Sequence, residues 1–124
     1  MLVTTLASMN QRYEVDPDWI RQQQADGDGE SVTVRLTVTG PMAREGVLEW
    51  MRDLGADALG SRGRDDWLVR EVKSGTDYAM LDITAGGDNA EEGLRDGTSE
   101  AFEVLDPLGC ELEWAQLDQH DPKP

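Results

Sequence analysis

The residues of this chain best suited to nucleophilic catalysis are its single cysteine, Cys110, and its single histidine, His120. A nucleophile needs a base within hydrogen-bond reach, yet His120 lies in a polar C-terminal segment. Cys110 begins an alternating segment on its apolar side, where a thiol behaves as a small hydrophobe. One cysteine and one histidine cannot complete a zinc site. We therefore expect no enzymatic activity, no metal and no other cofactor.

Carboxylates are the other groups that could carry chemistry. The chain has 26 acidic and 11 basic residues and a net charge of −15. Asp82 is the one acid within an apolar stretch, and the alternation of that stretch turns it to the outer face of a strand. Glycine-rich nucleotide-binding motifs and the G-x-S-x-G nucleophile motif are absent. This pattern favours binding over acid–base catalysis.

The sign of the charge restricts the class of partner. A field this negative repels nucleic acids and anionic membranes and attracts basic proteins. The alternative is that the acidity serves no partner, because a salt-adapted cytoplasm favours acidic surfaces on ordinary proteins. Nine arginines against two lysines also fit a GC-rich genome. Both interpretations remain open at this point.

Two sets of side chains are candidates for a partner-binding surface. Acids at three- and four-residue spacing form a stripe along one side of a predicted helix: Glu92, Asp96, Glu100 and Glu103. Outward-facing residues of predicted strands form the second set: Glu111, Glu113, Tyr78 and Met80. Aromatic side chains that could anchor a partner are Trp19, Trp67, Tyr78 and Trp114.

The elements that must position these residues follow from periodicity. Residues 31–40 alternate apolar and polar side chains at every step, which predicts a strand with one buried face. Segments 67–73 and 78–85 flank a four-residue turn and predict an antiparallel hairpin. Apolar residues at helical spacing predict helices over about 42–58, with Trp50 in the core, and from Asp88 or Asn89 to about Leu105. A polar loop is expected over 61–66, and a last strand over 110–117.

The order strand, helix, strand, strand, helix, strand predicts an α+β, ferredoxin-like (split βαβ) domain. It has a four-stranded antiparallel sheet with two helices on one face. We expect this domain to span 31–117, after an N-terminal extension, 1–30, with a short helix capped by Asp16, and before a disordered tail, 118–124. The extension, with its Trp19 and Ile20, is expected to cover the open face of the sheet. Arg35 is expected to pair with Glu111 or Glu113.

One segment resembles a known family. After the first strand come a glycine, Gly46, and an aliphatic pair, Val47 and Leu48, in a segment that resembles the first turn of ACT regulatory domains. The resemblance covers under a tenth of the chain. It implies a small-molecule-binding regulatory domain that senses an amino acid and dimerises through its sheet.

The leading hypothesis is a small acidic, non-enzymatic interaction protein. It would cover a basic site on a toxin, a nuclease or a nucleic-acid-binding complex, as an inhibitor or immunity-type protein does. We expect a cytoplasmic monomer, or a homodimer formed through the open sheet face. No apolar run approaches the length of a membrane span, and no signal peptide is recognisable. The ACT-like regulatory domain and the ordinary acidic domain are the alternatives.

Overall fold

The computed structural model describes residues 10–25, 31–56, 62–64 and 66–117 and shows an α+β domain. Its helices are α1 (Pro17–Ala25), α2 (Ala43–Asp53) and α3 (Ala90–Leu105). Its strands are β1 (Ser31–Thr39), β2 (Gly55–Ala56), β3 (Arg62–Arg64), β4 (Trp67–Ser74), β5 (Tyr78–Gly86) and β6 (Glu111–Leu117). The predicted tail and His120 lie outside the described residues.

Strand β1 is central, as its alternation predicts. It pairs antiparallel with β5 on one side and with β6 on the other. Its four apolar side chains are fully buried under the helices: Val32, Val34, Leu36 and Val38. Burying a side chain of this size contributes roughly 1.5–3 kcal/mol. The predicted hairpin is also confirmed as β4 and β5.

The predicted count of four strands is wrong, because the described part of the chain forms a six-stranded sheet in the order β2-β3-β4-β5-β1-β6. The two extra strands occupy segments expected to be the end of α2 and a polar loop. Helix α2 ends at Asp53, since Leu54 has extended backbone (φ −88°, ψ 149°) that leads into β2. In β3, a Cβ on Gly63 would lie 2.2 Å from the carbonyl oxygen of Trp67. Only glycine allows this approach, and strands this short carry no periodic signal.

Helix α3 packs closely on the sheet through small residues. A Cβ on Gly97 would lie 2.8 Å from the Trp67 ring and 2.9 Å from the Ile83 side chain. Each mid-helix glycine costs about 1 kcal/mol of helix propensity, which this close packing offsets. The helix begins at Ala90 after a 3₁₀ turn, and Asn89 precedes it without the expected side-chain cap. It then runs without interruption to Leu105.

Helix α1 packs on the helix side of the sheet, and residues 10–13 run along the β6 edge. The expectation that the extension covers the open face is therefore wrong for residues 10–25, and residues 1–9 and 26–30 lie outside the described residues. Asp16 caps α1 as predicted, its Oδ1 accepting a hydrogen bond from the Trp19 backbone N–H at 3.2 Å. Trp19 and Ile20 join the core beneath the helices. Gln24 donates a hydrogen bond to the Gly87 carbonyl at 2.9 Å. The apolar side chains of α1 go to the apolar face of the sheet, and the polar face offers them no burial.

The sheet side without helices, called here the open face, carries four rows of side chains that extend to β6. Directly opposite residues of antiparallel strands share a face, so the register defines each row from β4 or β5 to β6. Three rows run in the strand order β4, β5, β1, β6: Leu68, Thr84, Thr33, Leu117; Arg70, Asp82, Arg35, Ala115; and Lys73, Met80, Thr37, Glu113. The fourth row runs in the order β5, β1, β6: Tyr78, Thr39, Glu111.

Candidate functional site

The predicted binding residues fall on two opposite surfaces. The four acids of the predicted stripe lie on α3, on the helix side. The other four lie on the open face, where Thr37 stands between Met80 and Glu113 and Thr39 stands between Tyr78 and Glu111. The structure therefore places these eight residues in two groups, and the fold does not join the groups into one surface.

Glu100 is committed to an internal contact. Its carboxylate accepts a hydrogen bond from the Trp50 indole at 2.9 Å and two from the Arg64 guanidinium at 2.9 and 2.8 Å. These bonds, led by those from Arg64, hold the pKa of Glu100 below its ordinary value. Trp50 also stacks on Trp67, with ring centroids 5.9 Å apart. Glu100 thus ties α2 and β3 to α3 and is not free for a partner.

Two further glutamates of α3 have arginine partners at the surface. Glu103 lies 3.5 Å from Arg12, whose guanidinium also sits over the Phe102 ring at 4.4 Å. Glu91 pairs with Arg95 at 3.1 Å, one turn along the helix. All four charged side chains are about half exposed or more, so these pairs contribute little to stability.

Asp66, Glu92 and Asp96 form what we call the acidic α3 surface. A Cβ on Gly93 would lie 2.1 Å from the Asp66 carbonyl oxygen, so the chain before β4 presses directly on α3. This contact brings the Asp66 carboxyl against Asp96. The hydrogen bond that a protonated Asp96 makes to Asp66, with smaller contributions from burial and the nearby charges of Asp66 and Glu92, raises the pKa of Asp96. Arg95 opposes that shift only weakly. The sequence interpretation missed Asp66, which no periodicity connects to α3.

The open face is centred on an ion pair that the sequence analysis assigned wrongly. Arg35 binds Asp82 through two hydrogen bonds of 2.8 and 3.1 Å. The register places Asp82 directly opposite Arg35 and places Ala115 on its other side, so Glu111 and Glu113 are not its partners. The bonds to Asp82 raise the pKa of Arg35. Alternation alone puts Arg35 and Asp82 on one face, but only the register pairs them.

A shallow groove of about 500 Å³ follows the β6 edge beside these residues. Its walls include Thr37, Glu113 and the Asn10 side chain. Asn10 closes the start of β6, since its amide accepts from the Leu112 N–H at 2.9 Å and donates to the Cys110 carbonyl at 2.8 Å.

Most of the aromatic side chains predicted to anchor a partner are buried or make contacts within the chain. Trp19 and Trp67 are 9% and 2% exposed. Trp114 donates its indole N–H to the Gln11 carbonyl at 2.9 Å and packs on Tyr13. Tyr78 is half-buried, with its ring over Gly75. Of the four aromatic side chains, Tyr78 is therefore the one most available to contact a partner.

Of the two catalytic candidates, Cys110 lies within the described residues and His120 does not. Cys110 is 4% exposed, as a core residue should be, and burial raises the pKa of its thiol. No group of three or more potential metal ligands occurs in the part of the chain that the structure describes. Gly46 has a packing role, because a Cβ there would lie 2.6 Å from the Leu108 side chain. The glycine behind the ACT resemblance is thus explained by the approach of α2 to the end of α3.

None of the described helices has the length and apolar character needed to cross a membrane. Comparisons with protein-family models, with curated proteins and with solved structures find no match to this chain.

Proposed function

We propose that this protein is a non-enzymatic interaction protein whose acidic α3 surface covers a basic site on a partner protein. Inhibitors and immunity-type proteins that neutralise a toxin, a nuclease or a nucleic-acid-binding complex act in this way. The observation that carries the proposal is the Asp66–Asp96 contact. Helix α3 pairs Glu91, Glu100 and Glu103 with arginines, whereas these two carboxyls face each other.

A basic partner would relieve the repulsion at this surface. Like charges one helical turn apart, such as Glu92 and Asp96, destabilise a helix by about 0.2–0.5 kcal/mol. A lysine or arginine placed between such carboxylates turns that cost into a favourable interaction. The net charge of −15 would also steer a basic protein toward the complex from a distance. The proposal places this interaction in the cytoplasm, where a lone thiol such as Cys110 stays reduced.

We also infer that the domain is a ferredoxin-like fold extended at one edge. The four longer strands lie in the order β4-β5-β1-β6, with α2 after β1 and α3 after β5. Both helices pack on the same face of the sheet, which supports this inference, and β2 and β3 add a short extension beyond β4. An experimental structure with a different order of the four longer strands would contradict it.

The functional proposal is tested by affinity capture from the native host. The bait is the wild-type chain, the double variant Glu92→Gln/Asp96→Asn, or a control, Glu45→Gln/Glu49→Gln. The control removes two exposed charges of the same spacing from α2 instead of α3. Capture is compared at about 50 mM and about 300 mM salt, since screening weakens exposed charge pairs. Bound proteins are quantified by mass spectrometry.

We expect basic proteins that bind the wild type and the control but are lost from the α3 variant and at high salt. Equal capture by all three baits would show that the acidic α3 surface binds no partner. Capture that is lost equally with both double variants would show that only net charge matters, which would support the ordinary acidic domain.

A further inference from the structure

The open face has a charge balance unlike that of the whole chain. Its four rows contain three basic side chains and three acidic ones: Arg35, Arg70, Lys73, Asp82, Glu111 and Glu113. The whole chain has 26 acidic residues against 11 basic. A surface with balanced charge can approach another copy of this chain without the repulsion that its other surfaces impose.

The charges on the open face are also separated by sign. The basic residues Arg70 and Lys73 lie on β4, and the acidic residues Glu111 and Glu113 lie on β6. Three inter-strand steps, about 14 Å, separate β4 from β6. Between them, Arg35 on β1 and Asp82 on β5 form the central ion pair. The face therefore runs from positive at one side to negative at the other.

We propose that the open face binds a second copy of this chain. A two-fold axis relates the two copies and runs parallel to the strands, midway between the two sheets. The axis passes over the space between β1 and β5. This rotation places each row over the same row of the second copy in reverse order. Lys73 then faces Glu113 of the second copy, and Arg35 faces Asp82 of the second copy. Leu68, which is 37% exposed, faces the half-buried Leu117 of the second copy.

The charge pattern selects this axis over the other simple one. A two-fold axis perpendicular to the strands would place β4 over β4 and β6 over β6. With that axis centred on the face, Arg70 would lie over Lys73 of the second copy, and the acidic strand β6 would lie over its own copy. Like charges in direct opposition are unfavourable across an interface. An isologous interface needs a patch that is complementary to itself, and the parallel axis provides that match.

The size of the face predicts a reversible dimer. Four strands of about seven residues project an area of roughly 19 Å by 23 Å, or roughly 450 Å². Stable interfaces bury about 800 Å² per partner. With its polar rows and smaller footprint, this interface should dissociate with a Kd on the order of 10–100 μM. The inference does not rest on the proposed function, because it concerns the purified chain alone.

The experiment is sedimentation equilibrium of the purified full chain from about 1 μM to about 500 μM, a range that brackets the expected Kd. The single variants are Lys73→Glu and Glu113→Lys, and the double variant carries both substitutions. Two controls on α2, Arg52→Glu and Glu49→Lys, change the net charge by the same amounts on the helix side. All four substituted positions are exposed, so far-UV circular dichroism should show unchanged folds.

We expect the wild type and both controls to dimerise with similar Kd values. Each single variant should weaken the dimer at least about tenfold, because its like charges meet at two symmetry-related places. The double variant should recover wild-type affinity, since acid and base have only exchanged places. Glu113→Lys is decisive, because it lowers the net negative charge and would strengthen a dimer limited by general repulsion. A chain that is monomeric throughout, or a Glu113→Lys variant that dimerises like the wild type, would overturn the inference.

Discussion

The contact between Glu100, Trp50 and Arg64 should be a measurable source of stability, and its two components can be separated. Glu100→Ala removes the acceptor for the Trp50 indole and the partner of Arg64 together. Glu100→Gln retains an amide oxygen that can accept from the indole N–H, so it removes only the ion pair. Glu103→Gln is the control, since Glu103 is 65% exposed and meets Arg12 at 3.5 Å.

The expected magnitudes follow from the burial of each group. Trp50 is 3% exposed, so an indole N–H without an acceptor costs about 1–3 kcal/mol. The Arg64 side chain is 51% exposed, and solvent limits its ion pair to about 0.5–1 kcal/mol. We expect Glu100→Ala to lower the free energy of unfolding by about 2–4 kcal/mol and Glu100→Gln by about 0.5–1 kcal/mol. The control should stay within about 0.5 kcal/mol of the wild type.

The ion-pair component should disappear in acid. The pKa of Glu100 in the folded chain lies below its ordinary value of 4.5, because Arg64 and Trp50 stabilise the carboxylate. The ion pair therefore contributes fully to the free energy of unfolding when the pH is above the pKa of Glu100 in the unfolded chain. This contribution is lost as the pH falls through the pKa of Glu100 in the folded chain. The difference between the wild type and Glu100→Gln should be fully present at about pH 7 and should shrink as the pH is lowered below 4.5.

The assay is urea unfolding followed by tryptophan fluorescence, which reports directly on Trp50 and Trp67 in their stacked arrangement. Far-UV circular dichroism provides a second signal for the same transition. Equal losses for Glu100→Ala and Glu100→Gln would refute the assigned role of the indole hydrogen bond. A Glu100→Gln difference that persists unchanged in acid would refute the assigned role of the ion pair.

Two other substitutions test the core and the acidic α3 surface. Leu36→Asp places an unpaired charge at a fully buried position, so it should cost more than about 4 kcal/mol and abolish cooperative unfolding. The control Thr37→Asp, at the neighbouring position on the open face, should still unfold cooperatively. Similar melting curves for the two variants would mean that β1 is not central. Asp96→Asn should raise the melting temperature by about 1–2 °C at pH 7, because the repulsion from Asp66 and Glu92 is present above the raised pKa of Asp96. Below the ordinary Asp pKa that repulsion is absent, so the gain should be lost at about pH 3, and a gain retained there would contradict the assigned repulsion.

The long elements could be predicted from the sequence because their periodicity is strong. The alternation over residues 31–40 identified β1 and its buried face, and the turn residues between 73 and 78 identified the hairpin. Strands β2 and β3 could not be found in this way, since they contain two and three residues. They depend on the fit of Gly63 against β4 and on Arg64 reaching Glu100.

The site was harder to predict because its decisive contacts join distant residues. Asp66 meets Asp96 only because α3 packs against the chain before β4. Arg35 pairs with Asp82 because of a register that alternation does not specify. The helical stripe correctly placed Glu100 on α3, but the same spacing could not show that Trp50 and Arg64 already occupy it.

The central claim is that the acidic α3 surface binds a basic protein. Its most direct test is the Kd of a captured partner for the wild type, for Glu92→Gln/Asp96→Asn and for the control Glu45→Gln/Glu49→Gln, measured by isothermal titration calorimetry. We expect the α3 variant to bind at least about tenfold more weakly and with a smaller salt dependence, while the control stays within about twofold of the wild type. Three equal Kd values would contradict the claim.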